Sequence, residues 1–283
     1  MFLLQLLVRA RAWQNISRVA FPGADPGYKV LAATYLVGAG ANAIIPAKAG
    51  EAIKLFLARH EIKGSSYPAL ASTLVSMTLF DVSAGLIILA LALQLGVLES
   101  LPFPQLDWYW LLAATVFLSF IGMMCSRLQV VKGLAVKIKQ GFEVLRQPLF
   151  YLRSVASWQA LGLLFQTLGF ALLLNAFGVE STAANVFLAL SVTMISTAIP
   201  FAPGGAGTQQ ALLIATLAGA PSTVLTYAVS AQVAVTAAAV LWAALSMGLV
   251  FKTLDWKSLR SKAKNDLEYL EVPTPLQSSN SVA

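Results

Sequence analysis

The sequence predicts an all-α, polytopic integral membrane protein with two oppositely oriented re-entrant hairpins in an inverted repeat. Three observations predict it. First, 58% of its 283 residues are hydrophobic and 11% are charged, where soluble domains carry about 25% charged residues. Second, the basic residues cluster: none lies between Lys63 and Arg127, or between Arg153 and Lys252. Third, two apolar stretches are interrupted by residues that stop helices, one around Asn42 and Pro46 and one at Pro200–Gly207.

The second interruption organises the reading. In Ile199-Pro200-Phe201-Ala202-Pro203-Gly204-Gly205-Ala206-Gly207, two prolines remove helix donors and three glycines open conformations closed to other residues. Backbone freed at membrane depth survives where it is buried in protein or lines a polar cavity, as in the broken helices of transporters. A plain loop between two short spans is the alternative.

From the N-terminus, Met1 to Val8 is apolar but too short to span a bilayer. Arg9, Arg11 and Arg18, with Trp13 between them, suit a segment lying on the cytoplasmic interface. Residues 30–60 read as the first re-entrant hairpin, each limb about half of the roughly 20 residues a span needs. Lys48, Glu51 and Lys54 follow one another at intervals of three, on one helical face pointed into a cavity or, alternatively, on the surface.

Residues 67–97 read as a full span with Asp81 in its middle. An intramembrane carboxylate costs about 2.5–3.5 kcal/mol on insertion scales, which marks a functional residue or, alternatively, a structural partner for a nearby Lys or Asn. Residues 108–126, 154–177 and 222–251 read as further spans, and 185–219 as the second hairpin. Together residues 1–251 form one transmembrane domain. Residues 252–283 form a cytoplasmic tail, disordered from about Val272.

The basic stretch 127–153 places that segment inside, against anionic inner-leaflet lipid. The loops near Glu99 and Glu180 then lie outside, so the two hairpins open to opposite faces. The span 154–177 precedes the second hairpin, whereas the first has only Met1–Val8. The expectation is that the chain starts within that helix or that this copy has lost it. Clustered charge of this kind is no nucleic-acid patch. The single cysteine, Cys125, and the single histidine, His60, supply no disulfide framework, metal site or catalytic set.

The segment Asn42-Ala43-Ile44-Ile45-Pro46-Ala47-Lys48-Ala49-Gly50-Glu51, with Lys54, resembles the first motif of the lysylphosphatidylglycerol synthase transmembrane-region family, also called flippase-like. The Pro200–Gly207 stretch resembles its second. Family members often have arginine at the positions of Lys48 and Lys54, an acidic residue where Gln209 and Gln210 stand, and a basic residue near Gln232. They usually carry one more N-terminal helix. The resemblance carries the expectation of the membrane module without the soluble aminoacyl-transferase domain of the full synthase.

The resemblance implies a bacterial cytoplasmic-membrane protein that moves a phosphate-bearing lipid, without catalysis, cofactor or metal. Its expected substrate-binding residues are Asn42, Lys48, Glu51, Lys54, Asp81, Pro203, Gly204, Gly205, Gly207 and Gln210. Lys48, Glu51 and Asp81 are expected side by side, next to the Pro203–Gly207 break. A membrane-embedded lipid enzyme would have to work with Glu51, Asp81 and His60. An accessory scaffold for cell-envelope lipid synthesis is the other alternative, and a homo-oligomer is left open.

Overall fold

The computed structural model describes residues 1–24, 26–46, 48–94, 138–198, 205–217 and 219–251. Their regular structure is helical, with no strand among the described residues. The expected span 108–126, the tail 252–283 and the first part of the second break, with Pro203 and Gly204, lie outside them.

Helix α1 runs from Phe2 to Ala20, α2 from Tyr28 to Ile44, α3 from Ala49 to Glu61 and α4 from Tyr67 to Gln94. After a 3₁₀ turn at Glu143–Arg146 comes α5, Pro148–Ala176, which contains a π-helical turn at Leu152–Ala156. Helices α6 (Ala183–Ala198) and α7 (Thr208–Thr216) follow. The last is α8 (Pro221–Ser246), continued by a π-helical turn to Phe251. Pro221 sits in the first turn of α8, where its missing N–H costs nothing.

The first departure from the sequence reading is α1. Arg9–Arg18 does not lie apart from Met1–Val8 as an interfacial segment; both belong to one 19-residue helix. Trp13, Ile16 and Ala20 are buried, on the same stripe as Leu6 and Ala10. The arginines hid this stripe, because they read as a loop signal while Arg9 takes a partner inside the fold. Asn15 donates to the Ser154 carbonyl at 2.6 Å.

Two cores result. One gathers α1 to α4 around Trp13, Ile16, Leu31 and Leu70. The other gathers α5 to α8 around Leu174, Leu190, Leu213 and Tyr227. Helix α1 lies antiparallel to α5: Gln5 bonds Gln166 at 3.1 Å near one end, and Asn15 meets Ser154 near the other. Helix α2 packs on α3, α1 and α8; α6 packs on α7, α5 and α4.

Helices α5 and α8, counted to Phe251, are 29 and 31 residues long and apolar enough to cross a membrane. A core helix of a soluble protein of that composition would be mostly buried. Here only 17% of each most-apolar window is buried. Ile87, Leu172, Val233 and Leu249 all face outward. Apolar surface on this scale is consistent with a membrane protein.

Candidate functional site

The first hairpin turns at Ile45–Lys48, where Pro46 removes a donor and Lys48 takes a left-handed conformation (φ 55°). Two glycines let its limbs touch. A Cβ on Gly38 would lie 2.9 Å from the Gly50 carbonyl oxygen, and one on Gly50 would lie 2.6 Å from the Asn42 side chain. Asn42 closes the gap: its Oδ1 accepts the Gly50 N–H at 2.7 Å. It therefore caps α3 from the preceding helix, since Lys48 at the N-cap position provides no side-chain acceptor.

Asn42 Nδ2 also donates to Glu51 Oε1 at 3.1 Å, and Lys54 Nζ donates to the same oxygen at 2.9 Å. The Lys54 ammonium stands 4.1 Å from the centre of the Tyr35 ring, within cation–π range. The Tyr35 hydroxyl accepts from Arg9 Nε at 3.0 Å. Arg9 also forms an ion pair with Asp81. Its stem packs toward α5, where a Cβ on Gly162 would come within 3.0 Å of it. A single polar chain thus runs Asp81–Arg9–Tyr35–Lys54–Glu51–Asn42 through α4, α1, α2 and α3. It holds two cations and two carboxylates.

Asn42, Glu51, Lys54 and Asp81 therefore lie in one network. Lys48 is exposed at the turn, before α3 begins; it acts on Glu51 through its charge rather than from a shared helical face. Asp81 meets Arg9, an element the sequence reading did not assign to the site. A signal for Arg9 was available. Asp81 requires a cation, and the repeat Arg9, Trp13, Ile16, Ala20 follows helical spacing.

At the second hairpin, Gly205 (φ 79°) and Gly207 (φ 84°) adopt positive φ. A Cβ on Gly205 would press on Ser196 at 3.0 Å. Gln210 Oε1 accepts the Gly207 N–H at 2.6 Å and so caps α7. Gln209 donates to Thr193 Oγ1 at 3.1 Å, tying α7 to α6. Gly205, Gly207 and Gln210 thus meet residues of their own hairpin. Pro203 and Gly204 are outside the described residues. His60 is exposed and turns Nδ1 to the Phe56 carbonyl at 3.0 Å. No group of His, Cys, Asp and Glu among the described residues could hold a metal.

A charged network of this kind, set among helices with apolar outer surfaces, belongs to a membrane protein. No curated protein and no solved structure matches the chain. The model of the lysylphosphatidylglycerol synthase TM region matches residues 1–243, which include both hairpins and every charged member of the network, and the chain belongs to that family.

Proposed function

We propose that this protein moves a phosphate-bearing lipid across the bacterial cytoplasmic membrane, with the headgroup handled at the Arg9–Lys54 network. The observation that carries the reading is the placement of four ionisable side chains on α1, α3 and α4 in a membrane family linked to lipid handling. Intramembrane charges are expensive and mark substrate or ion pathways.

The helix pairing supports an inverted repeat. Matching α1–α4 to α5–α8 in order, the pairs α1–α2, α2–α3, α3–α4 and α1–α4 have counterparts α5–α6, α6–α7, α7–α8 and α5–α8; α2–α8 answers to α6–α4. In this reading both hairpins are re-entrant, and the charged network lies in the first half, with the Arg9 stem reaching the second at Gly162 of α5. Helix α1 fills the place expected of the span before the first hairpin. Lys29, Lys63, Arg146 and Arg153 flank the α2, α3 and α5 ends that would face the cytoplasm, as would the C-terminus. The basic residues near α5 would meet anionic inner-leaflet lipid. No covalent step is part of the reading.

The test is translocation of fluorescent phosphatidylglycerol in proteoliposomes. The protein should accelerate it, and Lys54→Gln should reduce the rate at least tenfold while the protein stays folded. A specific observation favours a second reading, an accessory scaffold: all four charges satisfy one another, as a purely structural network would. A wild-type protein that leaves the lipid-alone rate unchanged would overturn translocation in favour of the scaffold. Product formed from the lipid would point to an enzyme instead.

A further inference from the structure

Two cations converge on one tyrosine. Arg9 bonds the Tyr35 hydroxyl at 3.0 Å, and Lys54 lies 4.1 Å over the centre of the same ring. In both ion pairs the cation is the inner member. Side-chain exposure is 16% for Arg9 against 35% for Asp81, and 7% for Lys54 against 39% for Glu51. The carboxylates therefore occupy the open side of cations that the fold holds in place.

Carboxylate and phosphate oxygens are interchangeable acceptors for a guanidinium or an ammonium. Burying a cation unpaired is costly, so an empty site needs a counter-ion of its own. The other sources of positive charge are less suited. Lys48 is exposed at the hairpin turn, and the Gly50 N–H at the start of α3 is already taken by Asn42. We infer that Arg9 and Lys54 together bind the phosphate of the ligand, and that Asp81 and Glu51 are exchangeable counter-ions that phosphate displaces. The inference rests on the lipid-handling reading and names the groups that would do the handling.

Exchange keeps both cations paired before and after binding. It turns the two released carboxylates toward the side on which they are already partly exposed. Affinity is then a difference between two anions competing for the same cations. Weakening the internal anion strengthens the external one. An ion pair with a purely structural role has no such property, because its loss helps nothing to bind.

The experiment measures equilibrium binding to the full chain in nanodiscs made of a neutral glycolipid. One arm titrates spin-labelled phosphatidylglycerol and another adds inorganic phosphate from solution. A labelled phosphate-free glycolipid is the control. Asp81→Asn and Glu51→Gln should each raise phosphate affinity, on the order of tenfold for a competing close charge pair removed. Arg9→Gln and Lys54→Gln should each lower it. Arg9→Lys should recover only part, because a lysine cannot fork between Tyr35 and its anion.

Two acid variants are included because either could fail to fold, and each is checked by melting. The arm that shows the rise identifies the phosphate as lipid-borne or free, and a rise in either supports exchange. Folded acid variants that bind no tighter in both arms, or a rise shared by the phosphate-free lipid, would overturn it. Translocation is scored separately in proteoliposomes. A protein that shows exchange without transport would refute the flippase reading and keep the binding site.

Discussion

Arg9 is the residue on which the buried chemistry turns. It touches Asp81 on α4 and Tyr35 on α2, and its stem lies along Gly162 on α5. Removing one partner of a buried pair leaves a charge without compensation, which costs about 3–5 kcal/mol when burial is complete. Asp81 is one-third exposed, so Arg9→Gln should cost less, about 2–4 kcal/mol by the same reasoning. Arg9→Gln with Asp81→Asn should recover most of that loss, since neither amide carries a charge. Melting of the two single variants and the double in detergent checks this; additive losses would show that the pair is not coupled. Asp81, Glu51 and Lys54 were legible in the sequence because charge is conspicuous in apolar surroundings. The signal for Arg9 was there but hidden, because three arginines within ten residues carry the signature of a cytoplasmic rim. One of the three turns inward, and only the position of Asp81 reveals which.

At the scale of elements, the first hairpin depends on how closely α2 and α3 approach. Gly38 and Gly50 meet backbone to backbone, and Asn42 supplies the cap that the turn lacks. The break itself was legible from Asn42 and Pro46. The contact between the limbs was not, because small residues look alike whether they face a partner helix or lipid. Gly50→Ala places a methyl against the Gly38 carbonyl and the Asn42 side chain. Overpacking of this kind costs about 1–3 kcal/mol, and more where backbone has to move. The variant should also disturb the bond from Asn42 to Glu51, and through it the position of Lys54. The expected outcome is a lower melting temperature together with weaker phosphatidylglycerol binding. A Gly23→Ala control has open space around its Cβ and should change neither. Unaltered melting in Gly50→Ala would mean that the limbs stand further apart than described.

At the scale of the whole molecule, the pattern of charge and the pattern of packing bear on the same question, which way each hairpin faces. Hydropathy made the two long apolar helices, α5 and α8, legible. The pairing of α2 with α8 and of α6 with α4 was not, since it depends on contacts between residues about 200 or 100 positions apart. Lys63 follows α3, and Arg146 precedes α5; both are exposed. Glu180, also exposed, lies between α5 and α6 beyond a 29-residue apolar helix. At a rise of 1.5 Å per residue that helix is about 43 Å long, enough to separate its two ends across a bilayer. If α5 crosses, Arg146 and Glu180 must lie on opposite faces. If the first hairpin re-enters from the cytoplasm, Lys63 must lie with Arg146. Single cysteines at these three positions, in a background where Cys125→Ser removes the native thiol, make the test. An impermeant maleimide added to intact cells should label the Glu180 site and spare the Lys63 and Arg146 sites, and permeabilised cells should show all three labelled. Labelling of Lys63 with Glu180 would mean that residues 28–61 cross the membrane an odd number of times. That would remove the first re-entrant hairpin, and with it the inverted repeat, while leaving the Arg9 network in place as a feature of packing alone.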